Sequence, residues 1–479
     1  MYFARFVPKN GLFSCNTFEI LLYLCSSITS RDRMMSSLTI AIIVAFLLGY
    51  MAITLESFTR VNKAAIALLM FVVCWTIFTI DPGQYLPGVA PGDLMAHVSD
   101  LMEHHLGETA TTIFFLMGAM AIVEVVDQNG GFNFVRDPLR TSNKHTLLWR
   151  LAFLTFILSA ILDNLTTSIV MVMLLRKLVY DHKDRLIYAA LIVIAANAGG
   201  AFSPIGDVTT IMLWNEGTVS AGGVITELFI PSLVAMVVPA LILQHKLKGS
   251  LVMPEGKNEV VVDELTSQER HIVFFLGVGG LIFVPIFHGM TGLPPFVGIL
   301  LALSLVWLAT ELFYGKKRNR NKEGIKKRVS KLLGRIDMST IMFFLGILMA
   351  VACLEETGIL DELGEWLERI SGGNDYIVTG LIGIISSIVD NVPLVAGCMG
   401  MYPIAPTGDM AVDGIFWQLL AYCAGVGGSM LIIGSAAGVV VMGFERISFV
   451  WYLKNITWIA FVGYFAGMFA YWLQRLIIF

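Results

Sequence analysis

Two Asp-Asn pairs stand inside apolar sequence, where their side chains can take part in ion chemistry. Asp163-Asn164 and Asp390-Asn391 are each flanked by long apolar stretches. An ionised carboxylate at the centre of a bilayer costs on the order of 3 kcal/mol, and this penalty favours the protonated form unless a cation is bound. Each pair therefore predicts a site that holds either a proton or a cation.

A third carboxylate, Asp207, belongs to the run NAGGAFSPIGDVTT at positions 197–210. The glycines of this run allow close backbone approach, and Ser203-Pro204 interrupts the helix. Non-helical backbone at membrane depth is tolerated only where it packs in protein or lines a wet cavity, and its free carbonyls can bind a small cation. Oxygen ligands without a thiolate or histidine cluster favour a hard alkali cation over a transition metal.

Each of these carboxylates also has a structural interpretation. Asp and Asn are good N-caps, so an Asp-Asn pair can cap the helix that follows a break, and capping is compatible with ion binding. Asp207 could be a partner in a structural ion pair, but no Lys or Arg lies in the nearby apolar segments. Two such pairs at symmetric places, with a third acid, favour the functional interpretation.

Other charged groups lie near the ends of apolar segments. Glu124 and Asp127 close one predicted helix and are expected to be solvated, although Glu124 also suits a proton path. His104-His105 is expected in an external, interfacial stretch, where pH sensing and metal binding stay open as minor alternatives.

The composition is that of a membrane protein. Of the 479 residues, 56% are hydrophobic and only 14% are charged, with a mean hydropathy of +0.77. A soluble protein of this size carries nearly twice that charge on its hydrated surface. The sequence has no nucleotide-binding loop and no soluble domain beyond a short linker, which argues against an enzyme and against a resident cofactor.

Apolar segments of about 20 residues predict membrane-crossing helices. The uninterrupted ones are 37–55, 61–80, 110–127, 225–244, 271–289, 294–314, 339–356 and 450–473, and the interrupted ones are 148–180, 187–214, 376–402 and 415–443. Interrupted segments at corresponding places in two halves of a chain indicate a transporter binding site.

The two halves of the chain can be aligned. Three blocks of the first half, 112–116, 159–164 and 196–206, recur in the same order at a nearly constant offset of 227 or 228 residues. The second-half blocks begin at Thr340, Ser386 and Ala424, and Ser435 takes the place of Asp207. The loops around the first hairpin are basic and those around the second are acidic or neutral, so the positive-inside rule places the hairpins on opposite faces. The sequence therefore predicts an all-α polytopic membrane protein of two inverted repeats with re-entrant hairpins and broken helices.

The predicted organisation has six parts. They are an N-terminal extension (1–36), N-terminal helices with an external interfacial segment (37–109), the first repeat (110–245), a linker with scaffold helices (246–314), a basic cytoplasmic linker (315–337) and the second repeat (338–475). A start at Met34 or Met35 would make the extension a misassigned start, and a signal peptide is the alternative. The basic linker is interpreted as a topology anchor, not as a nucleic-acid-binding patch.

At these residues the sequence resembles the NhaD-type sodium/proton antiporters, within the superfamily that includes arsenite, citrate and dicarboxylate carriers. The run at 197–210, LDNLTTS at 162–168 and VDNVPL at 389–394 carry the resemblance, which spans about residues 37–475. It implies a homodimer in a bacterial inner membrane, with a scaffold and a mobile transport part that works by elevator-like alternating access. Sodium or lithium would leave the cytoplasm in exchange for protons, in the service of pH homeostasis.

The resemblance also implies a set of ion-binding residues. Carried over, the site comprises Asp163, Asn164, Asn197, Asp207, Asp390 and Asn391, with Thr166, Ser203 and Ser435 as lesser candidates, and sodium is held by Asp163, Asn164, Asn197 and Asp207. The dicarboxylate carriers of the superfamily have Ser-Asn-Thr hairpin tips, whereas both tips here have Asp at the Ser position. The alternative function is sodium-coupled symport of a dicarboxylate or another anion, and an oxyanion channel ranks third.

Overall fold

The computed structural model describes residues 36–54, 61–131, 139, 141–247, 249, 251, 265–316, 332–388 and 391–478. Most of the predicted N-terminal extension, the central part of the basic linker (317–331) and the site candidate Asp390 lie outside the described residues.

The described part of the chain is helical and contains no β-strand. Its eighteen α-helices are α1 Ser37–Thr54, α2 Lys63–Phe78, α3 Leu94–Gln128, α4 Lys144–Leu162, α5 Asn164–Leu178, α6 His182–Ala201, α7 Val208–Asn215, α8 Ala221–Gln244, α9 Ser267–Thr291, α10 Pro295–Lys316, α11 Met338–Glu356, α12 Ile359–Ser371, α13 Asp375–Ser386, α14 Asn391–Met401, α15 Ile415–Gly427, α16 Ala436–Glu445, α17 Phe449–Asn455 and α18 Thr457–Ile478. Seven helices in these ranges are long and apolar enough to cross a membrane.

Every predicted interruption separates two helices. The hairpins are α4–α5 and α13–α14, and the broken helices are α6–α7 and α15–α16. The second half of each pair is short, between 8 and 15 residues. A short half ends inside the thickness of a bilayer, so the breaks lie at membrane depth.

Two segments differ from the sequence prediction. The helix predicted at 110–127 begins already at Leu94 and extends for 35 residues, because the more polar stretch 94–109 contains no proline and stays helical. The segment 450–473, predicted as one helix, is divided into α17 and α18. α16 and α17 meet at an angle of 111°, so the chain turns sharply after Glu445.

The helices pack in two groups. In one group α2 packs against α1 and α11, and α3 packs against α10 and α11. In the other, α6 packs against the hairpin α4–α5 and against α8, and α15 packs against α13. The second group contains all four breaks, so it holds the candidate ligands.

The two repeats share the same internal contacts. Ser159 donates a hydrogen bond of 2.5 Å from Oγ to the carbonyl of Ala196, and Ser386 donates one of 2.8 Å to the carbonyl of Ala424. Both contacts join a hairpin to the broken helix of the same repeat. Equivalent residues making equivalent contacts agree with the sequence alignment of the halves.

Candidate functional site

Four helices begin at the breaks, and each begins at a candidate ligand. α5 starts at Asn164 and α14 starts at Asn391, while Asp207 and Ser435 are the N-caps of α7 and α16. A helix N-terminus carries a partial positive charge from its unpaired N–H groups. The four N-termini meet in the interior of the protein, because hydrogen bonds connect these side chains.

Asp207 is the centre of this network. Its side chain is buried, at 1% exposure, and its Oδ1 accepts a hydrogen bond of 3.3 Å from the backbone N–H of Thr209. Asn164 donates to Oδ2 at 2.9 Å, and Asn391 donates to the same carboxylate at 3.4 and 3.5 Å. Both hairpins therefore contribute an amide to one carboxylate of the first broken helix.

Asn197 connects the network to the second repeat. Its Oδ1 accepts a hydrogen bond of 3.2 Å from Asn164, and its Nδ2 donates one of 2.9 Å to Oγ of Ser435. Ser435 in turn accepts a bond of 3.2 Å from the backbone N–H of Gly438, which caps α16. The fully buried Asn197 thus lies between the first hairpin and the second broken helix.

Asp163 has a different set of contacts from Asp207. It caps α5, since its carboxylate accepts hydrogen bonds from the backbone N–H and the hydroxyl of Thr166 at 2.7 and 2.9 Å. The capping considered as the alternative is therefore present at Asp163, and Thr166 serves as its partner. The backbone of Asp163 has φ 76° and ψ 159°, a conformation that is essentially restricted to glycine and that marks a strained position.

The remaining candidates lie around this network. Ser203 donates a hydrogen bond of 2.5 Å to the carbonyl of Ala160, which joins the first broken helix to the first hairpin. Glu124 is a half-buried residue of α3, in the other group of helices. Within the described residues, the buried hydroxyls of Thr209 and Thr210 make no hydrogen bond. These hydroxyls add two oxygen atoms next to Asp207.

A cavity of about 150 Å³ lies on the side of this region that the loop charges assign to the exterior, and its lining does not include Asp207, Asn164 or Asn391. α7 and α14, which both begin at the network, form part of its wall, together with α3 and α11. Three carboxylates line it, those of Glu108, Glu216 and Glu355. Glu216 is not among the candidates predicted from the sequence, although its place at the end of the first broken helix is a signal that could have identified it.

His105 lies in the wall of the cavity and is buried, which differs from the predicted interfacial position. Its Nε2 is 2.9 Å from Oε1 of Glu356, and its Nδ1 is 3.5 Å from Oε2 of Glu108. His105 is buried because α3 is longer than predicted, so that His105 lies within a continuous helix, between α2 and α11. Its neighbour His104 is exposed and lies 3.0 Å from Glu108.

Comparisons with known proteins agree on one family. The family model described as "Citrate transporter" (CitMHS) matches residues 50–421. Sodium/proton antiporter 1 of Arabidopsis thaliana is 41% identical over 471 residues, which are 98% of this chain and 78% of the relative. The Na(+)/H(+) antiporter NhaD of Vibrio cholerae is 30% identical, with 90% of each chain covered.

A solved structure with the same fold is the YdaH transporter of Alcanivorax borkumensis, described as having an unusual topology. The TM-score is 0.59 at 13% sequence identity, covering 87% of this chain and 98% of that chain. At this identity the likeness concerns the fold alone. From the family match and the identity to full-length relatives, this chain belongs to the citrate transporter family and, within it, to the NhaD-type sodium/proton antiporters of the ion-transporter superfamily.

Proposed function

We propose that this protein is a secondary active sodium(lithium)/proton antiporter that exports Na⁺ in exchange for H⁺. The observation that carries the proposal is the buried carboxylate of Asp207, bound by the amides of Asn164 and Asn391 where four helix N-termini meet. When a sodium ion binds, the amides can turn their oxygens to the ion, and the carboxylate supplies the balancing charge. When the ion leaves, the desolvated carboxylate takes up a proton.

The same geometry distinguishes a cation carrier from an anion carrier. Four helix N-termini without an acid would attract an anionic substrate. Here Asp207 places a covalently attached carboxylate at that position, so a second carboxylate from a substrate would be repelled. Sodium-coupled symport of a dicarboxylate is therefore the weaker alternative, although the family model is described as a citrate transporter.

Exchange requires that the site open to each side of the membrane in turn. We propose that the helices with the breaks move as a transport part against a scaffold of α1, α2, α3, α9, α10 and α11, in an elevator-like manner. The cavity beside Glu216 supports an opening to the exterior in the described state. Glu124, on the scaffold helix α3, is proposed to line a proton path. The repeats are proposed to span 110–245 and 338–475.

Further properties follow from the bacterial relatives and from the resemblance. The protein is proposed to be a homodimer with multiple membrane spans, to act as a carrier and not as an enzyme, and to have Na⁺, Li⁺, H⁺ and the lipid bilayer as its partners. A bacterial inner membrane is the proposed location, and two relatives are plant proteins. Membrane fractionation of the source cells, with the chain detected by an antibody, tests the location.

The function is tested by pH-dye dequenching in everted, acid-loaded vesicles. Addition of sodium or lithium is expected to release protons from the lumen, and potassium is expected to have no effect. Asp207→Asn is expected to abolish the response, whereas Glu365→Gln, on the exposed face of α12, is expected to leave it unchanged. A lack of response to every cation, combined with uptake of labelled succinate or citrate, would refute antiport.

A further inference from the structure

Glu445 is a buried carboxylate that the proposed ion site does not use. It is the last residue of α16, is 2% exposed and lies just before the 111° turn into α17. A negative charge at a helix C-terminus is unfavourable, because that end of the helix dipole is itself negative. Helix formation therefore does not explain why a glutamate lies at this position.

Two arginines from the first repeat surround this carboxylate. Nε of Arg185, in α6, is 2.7 Å from Oε2 of Glu445, and Nε of Arg176, in α5, is 3.4 Å from Oε1. Arg185 also donates to the carbonyl of Val179, and His182 lies 4.0 Å from Oε2. We call Glu445, Arg176 and Arg185 the Glu445 cluster. It joins three helices at the end that the loop charges assign to the cytoplasm.

The same three helices carry polar groups of the ion site at their other ends. α5 begins at Asn164, α6 carries Asn197, and α16 begins after Ser435. At 1.5 Å per residue, the site lies about 15 Å from the cluster along α16 and about 18 Å along α5 and along α6. Three packed helices are therefore fixed to one another at two levels, by the cluster and by the hydrogen bonds of the site.

Within the described residues, the corresponding end of the first repeat has no such ion-pair cluster. α7 is the counterpart of α16 and ends in a similar way, with Glu216 as its C-cap. Glu216 is exposed to the cavity, near the carboxylates of Glu108 and Glu355, and forms no ion pair within the described part of the chain. The cluster is thus a feature of one side of the molecule and not a general requirement of the repeat.

We propose that Glu445 is a positioning residue for cation binding, which acts through its ion pairs with Arg185 and Arg176 to fix the register of α5, α6 and α16. This register sets where Asn164, Asn197 and Ser435 meet. Removing the charge of Glu445 leaves the largely buried Arg185 and the half-exposed Arg176 without their carboxylate partner, so the cytoplasmic ends separate. The polar groups at the site then lose their alignment, and the affinity for sodium falls. The inference rests on the proposed sodium/proton exchange.

The test is the apparent half-saturation concentration for sodium, together with the maximal rate, in everted vesicles containing the full-length chain. Glu445→Gln is expected to raise the half-saturation concentration about three- to tenfold, which lies within the range by which residues remote from a ligand alter its binding. Arg185→Gln is expected to do the same. The double variant is expected to show less than the sum of the two effects, since both substitutions remove one interaction.

A second buried ion pair provides the matched control. Glu227 in α8 is 6% exposed and lies 2.7 Å from Arg475 in α18, and neither helix carries a candidate ligand. Glu227→Gln is expected to lower the thermal unfolding temperature of the purified protein without changing the half-saturation concentration for sodium. An equal rise in both variants would show that Glu445 is structural only and would overturn the proposal.

Three further outcomes distinguish the possible failures. If Glu445→Gln does not reach the membrane, Arg176→Gln replaces it, because Arg176 is half-exposed and its loss is tolerated better; an unchanged half-saturation concentration in that variant overturns the proposal. If the wild-type chain exchanges sodium and Glu445→Gln has wild-type affinity, only the positioning role is refuted. If the wild-type chain shows no sodium-dependent proton release, the proposed function fails and this inference fails with it.

Discussion

Asn164 donates a hydrogen bond of 2.9 Å from its Nδ2 to Oδ2 of Asp207, across 43 residues of sequence. The same Nδ2 lies 3.2 Å from Oδ1 of Asn197. One amide therefore joins the tip of the first hairpin to both halves of the first broken helix. The arrangement of the candidate ligands depends on this contact.

Removal of that amide should weaken sodium binding. Asn164→Ala removes the donor to Oδ1 of Asn197 and the shorter of the two donors to Oδ2 of Asp207. The loss costs about 1–3 kcal/mol and is expected to raise the half-saturation concentration for sodium by about tenfold or more. Dye dequenching over a range of sodium concentrations measures it. Asn374→Ala, which removes only the N-cap of α13, is the control and should retain wild-type affinity. Equal affinities in both variants would exclude Asn164 from the site.

Asp163 can be tested for a charge requirement separately from its capping role. Asp163→Asn keeps an N-cap and a side chain of nearly the same size at this strained backbone position, but removes the charge. We expect a folded protein that no longer exchanges sodium for protons, because the carboxylate is needed for proton binding. Size-exclusion chromatography reports folding, and vesicle assays report exchange. Wild-type exchange in this variant would assign Asp163 to capping alone.

Ser435 is expected to contribute to both stability and affinity. Ser435→Ala removes the cap of α16 and the acceptor of Asn197, and the loss of the cap alone costs about 1 kcal/mol. Ser448→Ala removes the corresponding cap of α17 and is the matched control. Both variants should unfold at a lower temperature, whereas only Ser435→Ala should raise the half-saturation concentration for sodium. A rise in the control as well would indicate a general effect of capping.

Close packing within each repeat predicts that replacing either of two glycines destabilises the protein. A Cβ at Gly199 would overlap with the carbonyl oxygen of Phe156, and one at Gly427 would overlap with that of Gly383. Gly199→Ala and Gly427→Ala should each destabilise the protein by about 1–3 kcal/mol through overpacking. Gly443→Ala, which meets no neighbour within 4 Å, is the control. Thermal unfolding of the three purified variants measures the difference, and equal unfolding temperatures would contradict the proposed packing of the repeats.

Competition between sodium and protons predicts a pH dependence of a definite sign. Because a protonated carboxylate cannot bind sodium, lowering the pH should raise the half-saturation concentration, by up to about tenfold per pH unit if one proton competes. The measurement is sodium-dependent exchange at a series of pH values set equally on both sides of the membrane. A half-saturation concentration that does not change with pH would separate the proton site from the sodium site.

Several features follow from the sequence because they depend on local composition. Most of the apolar segments, the breaks beside Asp163, Asp207 and Asn391, and the correspondence of the two halves were predicted and agree with the helices that the structure describes. The transfer of an apolar segment into lipid is a property of that segment, and Asp and Asn favour the first position of a helix through contacts with their own neighbouring backbone. These features therefore need no knowledge of the neighbouring helices.

The contacts of each polar side chain were decided by the tertiary structure. The sequence ranked Asp163 and Asp207 alike, but the backbone at Asp163 directs its carboxylate to Thr166, whereas Asp207 receives amides from both hairpins. The positions of Glu445 beside Arg185 and of His105 beside Glu356 join segments 260 and 251 residues apart. Such pairs form because distant helices pack together, and the residue types alone do not specify which partner each charge obtains.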